Sequence, residues 1–201
     1  MRRRGFLAGC LALPAIVTSG AARAQTVDPW ARKLIDAAKT QVGVTVHYDP
    51  AYTKLAYPGG DVPRERGVCT DVIIRAYRDA FDVDLQQLVH QDMKAAFGKY
   101  PKTWGLSRPD RNIDHRRVPN LETWFKRQNL ALPVTSVAGD YRPGDLVSQR
   151  LPGNLPHIAI VTDETTWGGT PLVVHNIGAG ARIEDRLFAF DLVGHFRFEP
   201  V

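Results

Sequence analysis

Gly67-Val68-Cys69-Thr70-Asp71-Val72-Ile73-Ile74-Arg75-Ala76-Tyr77-Arg78-Asp79-Ala80 is the stretch on which the fold turns. Val72, Ile73, Ala76, Tyr77 and Ala80 recur at helical spacing, so a helix begins at about Cys69 and turns one apolar face inward. Cys69 precedes Val72 and Ile73 by one turn and shares that face. Upstream, Asp28-Pro29 joins a capping residue to a proline at the first helical position. Trp30, Leu34, Ala38 and Val42 then continue a helical period for about three turns. Residues 49–68 hold Pro50, Pro58, Gly59, Gly60, Pro63 and Gly67 and read as an ordered loop. Downstream, Leu85, Leu88, Val89, Met93 and Phe97 predict a helix from Asp84 to Phe97. Residues 98–118 look irregular, and a short helix is expected from Pro119 to Gln128.

The character then changes. Asp145–Arg150, His157–Asp163, Leu172–Ile177 and Val193–Phe198 are short runs rich in Val, Ile and Phe, separated by Pro143-Gly144, Pro152-Gly153 and Gly168-Gly169. Helices first and strands afterwards predict an α+β fold, with N-terminal helices packed on an antiparallel sheet. No repeat or long linker divides the chain, so residues 25–201 are expected to form a single domain.

The first 24 residues read as a cleavable signal peptide. Arg2-Arg3-Arg4 precede an apolar run from Gly5 to Val17, and Ala22-Arg23-Ala24 offers a cleavage site. Arg3-Arg4-Gly5-Phe6-Leu7 resembles a twin-arginine signal. A periplasmic or secreted location follows. No later stretch approaches the roughly 20 apolar residues of a membrane span, so no stable membrane insertion is expected after cleavage. Cleavage removes four arginines and no acid, so 26 basic residues become 22 against 21 acidic ones, and the formal charge falls from +5 to +1. A near-neutral chain gives no support to nucleic-acid binding. A monomer is expected.

Cleavage would also remove Cys10 and leave Cys69 as the single cysteine of an exported chain. One such cysteine is either a buried hydrophobe or a free reactive thiol. Its place at a helix N-terminus favours the thiol, because free backbone N–H groups and the helix dipole stabilise a thiolate. Arg64 and Arg66 would add to that effect, and Asp71 would oppose it unless it points elsewhere. A nucleophilic thiol needs a base, and the base needs an orienting partner. His157 opens the strand His157-Ile158-Ala159-Ile160-Val161, and His175-Asn176 ends another. Side chains alternate along a strand, so only one of His175 and Asn176 can face His157; spacing leaves open which.

Cys69 at a helix start, Arg142-Pro143-Gly144-Asp145-Leu146-Val147, His157-Ile158-Ala159-Ile160-Val161 and Val173-Val174-His175 together resemble the NlpC-type branch of papain-like cysteine peptidases. That branch cleaves amide bonds in bacterial cell-wall stem peptides. The resemblance implies Cys69 as nucleophile, His157 as base and His175 as the orienting residue. In the same branch a tyrosine followed by a Gly-Gly pair lies near the oxyanion site, and Tyr57-Pro58-Gly59-Gly60 resembles it with altered spacing. Gly67-Val68-Cys69-Thr70-Asp71, the run Asn112–Asn120 and Val174-His175-Asn176-Ile177-Gly178 also resemble a family of secreted bacterial proteins, a domain of unknown function, over about residues 30–198.

Arg108, Arg111, His115, Arg116 and Arg117 form the other conspicuous cluster, interspersed with Asp110 and Asp114. Asp71, His115, Arg116 and Arg117 are candidate substrate-binding residues, since arginine forks recognise carboxylates. The alternative is a solvated loop whose opposite charges pair locally. No close histidine pair or Cys-x-x-Cys supports a metal, and no glycine-rich phosphate loop implies a cofactor. The expected partner is peptidoglycan or a peptide. A cysteine hydrolase acting through a thioester is therefore expected. Its competitors are an acyl or amide transferase, a non-catalytic cell-wall or protein-binding module, and a thiol-redox protein, which a missing resolving cysteine disfavours.

Overall fold

The computed structural model describes residues 26–200; the expected signal segment 1–24 lies outside them. Helix α1 spans Pro29–Lys39 and buries Ala31, Leu34, Ile35 and Ala38. It ends before Val42, which the helical spacing had included and which is 41% exposed. Two short strands, β1 (His47–Tyr48) and β2 (Arg66–Gly67), pair in parallel and clasp the Pro/Gly-rich loop between them. Helix α2 runs from Cys69 to Phe81, so the sequence located its first residue. Helix α3 (Leu85–Ala96) is capped by Asp84, whose carboxylate accepts the Gln86 N–H at 3.0 Å. After an irregular stretch with a 3-10 turn at Asp114–Arg116 comes α4, Val118–Arg127.

Five antiparallel strands follow: β3 (Leu146–Leu151), β4 (Leu155–Thr165), β5 (Pro171–Asn176), β6 (Ala181–Glu184) and β7 (Asp191–Phe196). Their order across the sheet is β6-β5-β4-β3-β7, which puts β4 at the centre. The α+β class, with helices packed on an antiparallel sheet, is what the structure shows. Strand β6 is the one strand of this sheet that the sequence did not announce. It has four residues, Ala-Arg-Ile-Glu, at a sheet edge, too short and too charged for a period-2 signal.

The main core lies between helices and sheet, where Leu34, Ile35, Val72, Ile73 and Tyr77 meet Ile158, Ile160, Val174 and Phe196. A smaller cluster of Tyr141, Val147, Ala159, Val161, Val173 and Leu187 covers the other face. Alternation along β4 accounts for both, since even-numbered residues meet the helices and odd-numbered ones the opposite layer.

Helix α2 departs from a simple amphipathic pattern. Every residue from Cys69 to Tyr77 is buried, and Arg75 is 0% exposed. Its guanidinium binds the Asp61 carboxylate through Nε at 2.9 Å, Thr45 Oγ1 through Nη1 at 3.1 Å, and the carbonyls of Val62 and Arg66 through Nη2 at 3.0 and 2.9 Å. Arg75 thus fastens the loop 45–66 to the helix that carries Cys69. The same crowding presses on Gly67, where a Cβ would stand 3.0 Å from Asp71 Oδ2 and 3.2 Å from Arg75 Nη1, so that these side chains would have to shift.

Candidate active site

Cys69 is the first residue of α2 and forms part of the wall of a cavity of about 380 Å³. Tyr48, Tyr52, Trp104, Val118 and Pro156 also line it. Three backbone N–H groups, those of Ile158, Thr70 and Cys69 itself, favour the ionised sulfur, as a helix N-terminus should. Burial works against them and is the larger effect: Cys69 is 4% exposed, and its pKa is pushed up to about 12, with the Asp71 charge adding to the rise. The resting sulfur is therefore a thiol.

The N–H that meets this sulfur from the sheet belongs to Ile158, next to His157. His157 lies near the start of β4, and its Nε2 is 2.8 Å from Nδ1 of His175 on the neighbouring strand β5. The alternation that left His175 and Asn176 undecided is settled by register. His175 faces His157, while Asn176 points to the helix side and donates from Nδ2 to the Gly67 carbonyl at 3.0 Å. Asn176 thereby braces the turn before Cys69. Beyond His175, the Glu184 carboxylate on β6 stands 3.0 Å from His175 Nε2. Burial drives the His157 pKa down to about 3, helped by His175, and burial lowers His175 as well against the raising effect of Glu184. Both rings are neutral at ordinary pH. Among the described residues, no hydrogen bond joins Cys69 directly to His157, and the cavity wall that holds Cys69 includes Pro156 of β4 rather than His157.

Tyr57 is not brought to this place. Its ring meets His90 edge-on at 5.2 Å between centroids, and the Arg111 guanidinium lies over it at 5.6 Å. Tyr48 is there instead. The β1–β2 register sets Tyr48 opposite Gly67, two residues before Cys69, and burial, followed by the nearness of the Cys69 sulfur, pushes its phenol pKa up to about 12. The sequence held only a weak signal for this tyrosine, because a two-residue strand has no periodicity to read.

The basic cluster also resolves differently from either expectation. Arg116 forms a bidentate pair with Asp71, Nε–Oδ1 and Nη2–Oδ2 both at 2.9 Å, inside the protein. It also donates to the carbonyls of Ala51 at 3.2 Å and Asp49 at 3.1 Å. Asp71 meanwhile accepts the Val68 N–H at 2.6 Å and so caps the helix at Cys69. These two residues brace the site, and Arg116 also lines the cavity, where Nη1 has one N–H beyond its bond to Ala51. His115 is buried beside the α3 side of the molecule, away from the Cys69 cavity, and burial lowers its pKa to about 3. Arg117 does line the cavity, stacked over Trp104 at 4.0 Å and 3.4 Å from the Asp114 carboxylate. No group of three or more His, Cys, Asp or Glu side chains suited to a metal ion occurs among the described residues.

Comparison with known proteins agrees with a family assignment over nearly the whole described chain. The family described as Domain of unknown function (DUF1287) matches residues 35–198. Uncharacterized protein YijF of Escherichia coli (strain K12) is 58% identical over 165 residues, covering 82% of this chain and 80% of the relative. Among solved structures, NlpC1 from Trichomonas vaginalis is similar at 13% identity and a TM-score of 0.44, over 84% of this chain. The chain spans 44% of the length of that solved protein. The protein belongs to the DUF1287 family.

Proposed function

We propose that this member of the DUF1287 family is a cysteine hydrolase of the NlpC-type papain-like kind, exported by residues 1–24 and acting on amide bonds in cell-wall peptides. The observation that carries the reading is Cys69 at the opening of α2 in a cavity wall, its sulfur met by the Ile158 N–H of β4, with the His157–His175 hydrogen bond beginning at the residue before Ile158. The resemblance of the surrounding segments to NlpC-type peptidases supports the substrate class.

The chemistry begins from a neutral pair. As the substrate carbonyl approaches Cys69, the thiol proton passes to His157 and the sulfur adds to the carbonyl carbon. The Cys69 and Thr70 N–H groups at the start of α2, which lie at the sulfur, would stabilise the developing oxyanion, and Tyr48 lines the same cavity. His157 then protonates the leaving amine, the C–N bond breaks, and a thioester remains. Water, deprotonated by His157, hydrolyses that thioester and restores the thiol.

A binding module is the second reading, and the burial and neutrality of Cys69 favour it. Digestion of purified peptidoglycan, with mass-spectrometric analysis of the products, decides between them. The wild-type chain should release fragments with new free amines, and Cys69→Ala should release none. Activity that survives in Cys69→Ala refutes the mechanism, and no product from the wild type favours the binding module. Products joined to a second amine identify a transferase.

A further inference from the structure

We infer that Glu184 is a positioning residue for this site: it fixes the proton on Nε2 of His175 and, through that ring, the proton on Nε2 of His157. The inference rests on the cysteine–histidine reading above and extends it by one residue. A carboxylate oxygen only accepts, so the 3.0 Å contact between Glu184 Oε2 and His175 Nε2 requires a hydrogen on that nitrogen. A neutral imidazole carries one N–H, which leaves Nδ1 of His175 as an acceptor. His157 Nε2, 2.8 Å away, must then be the donor. The remaining nitrogen of His157, Nδ1, is left with a lone pair, which is what a base for the Cys69 proton needs. Burial keeps both rings neutral, so the chain of assignments holds without an extra proton.

Removing the carboxylate releases the sequence of constraints. His175 can then hold its proton on Nδ1, facing His157, which forces the His157 proton onto Nδ1. In that tautomer His157 presents a donor where the thiol needs an acceptor. When His157 does gain the thiol proton, Glu184 also supplies the balancing charge two hydrogen bonds away. Glu184 suits this role because its side chain, on the edge strand β6, is 28% exposed while its carboxylate oxygen still reaches the buried His175 ring. Arg186, at 3.7 Å from the same oxygen, steadies it.

Nitrogen-15 NMR of histidine-labelled protein reads the tautomers directly and needs no substrate. The wild type should show N–H at Nε2 of both His157 and His175. Glu184→Ala should move His157 to an Nδ1–H or mixed form, Glu184→Gln should keep the wild-type pattern through its amide oxygen, and Arg186→Ala should keep it as well. Turnover on peptidoglycan should fall on the order of 10²-fold in Glu184→Ala and recover in Glu184→Gln. A His157 that carries its proton on Nδ1 in the wild type, or is unmoved in Glu184→Ala, overturns the inference. Tautomers that shift as expected in a protein without turnover uphold the role of Glu184 and refute the hydrolase.

Discussion

Two sets of buried polar side chains flank Cys69, and they differ in what they leave uncommitted. On the helix side, Arg75 and Arg116 each have a partner at every guanidinium nitrogen, from Asp61, Asp71 and the carbonyls of the loop 49–66. On the sheet side, His157 and His175 form a single file ending at Glu184, and one ring nitrogen of His157 stays outside it. A saturated network fixes geometry, because moving any member strands a buried charge. A file with a free end is suited to moving a proton. The arginines brace the turn and loop around Cys69, and on the proposed mechanism the histidines supply its base.

The sharpest way to break this contrast is His157→Gln. Turnover should fall by on the order of 10²–10⁴-fold, with the urea midpoint close to that of the wild type. A parallel collapse of stability would assign His157 to the scaffold. Arg116→Ala tests the other side: it leaves Asp71 buried without its counter-charge and should cost about 3–5 kcal/mol in urea unfolding. Lost substrate affinity at unchanged stability would instead return Arg116 to substrate recognition.

Acid sharpens the comparison next. Burial holds His115 and His157 at about 3 against an ordinary value of 6.5. The unfolded chain therefore takes up protons that the folded chain refuses. Stability is fully present above about pH 6.5 and falls as the pH drops toward 3, by about 1.4 kcal/mol per pH unit for each ring. His115→Gln should flatten the decline between pH 6.5 and 5, read as the change in unfolding free energy. An unchanged slope would mean that His115 is not the group responsible. The smallest effect is expected from Asn176→Ala. The Gly67 carbonyl keeps its bond from the Asp49 N–H at 3.1 Å, so about 1 kcal/mol is lost. A larger loss would move Asn176 into the saturated set.

Much of this architecture was legible because it is local. The period of Val72, Ile73, Ala76 and Tyr77 gave the start of α2, and the β-branched run after His157 gave the central strand. Gly67 was readable as part of a Pro/Gly-rich loop, and the structure shows the Asp71 and Arg75 side chains packed against it. Arg75 was not readable, because a charge at the crowded centre of a helix is permitted only by acceptors from a distant loop. Tyr48 was hidden by the shortness of β1, and Tyr57 resembled it only in composition.

By itself, then, the sequence determined the α+β class, the helix that opens at Cys69 and the strands that carry His157 and His175, since each depends on neighbours within a few residues. Only the tertiary structure decided which side chains meet there. Asp71 meets Arg116 across 45 residues and Asn176 meets Gly67 across 109, while His175 reaches Glu184 through the pairing of an edge strand with no pattern of its own. Such partners are chosen by strand register and by the need to satisfy buried charge, and neither leaves a trace in residue spacing.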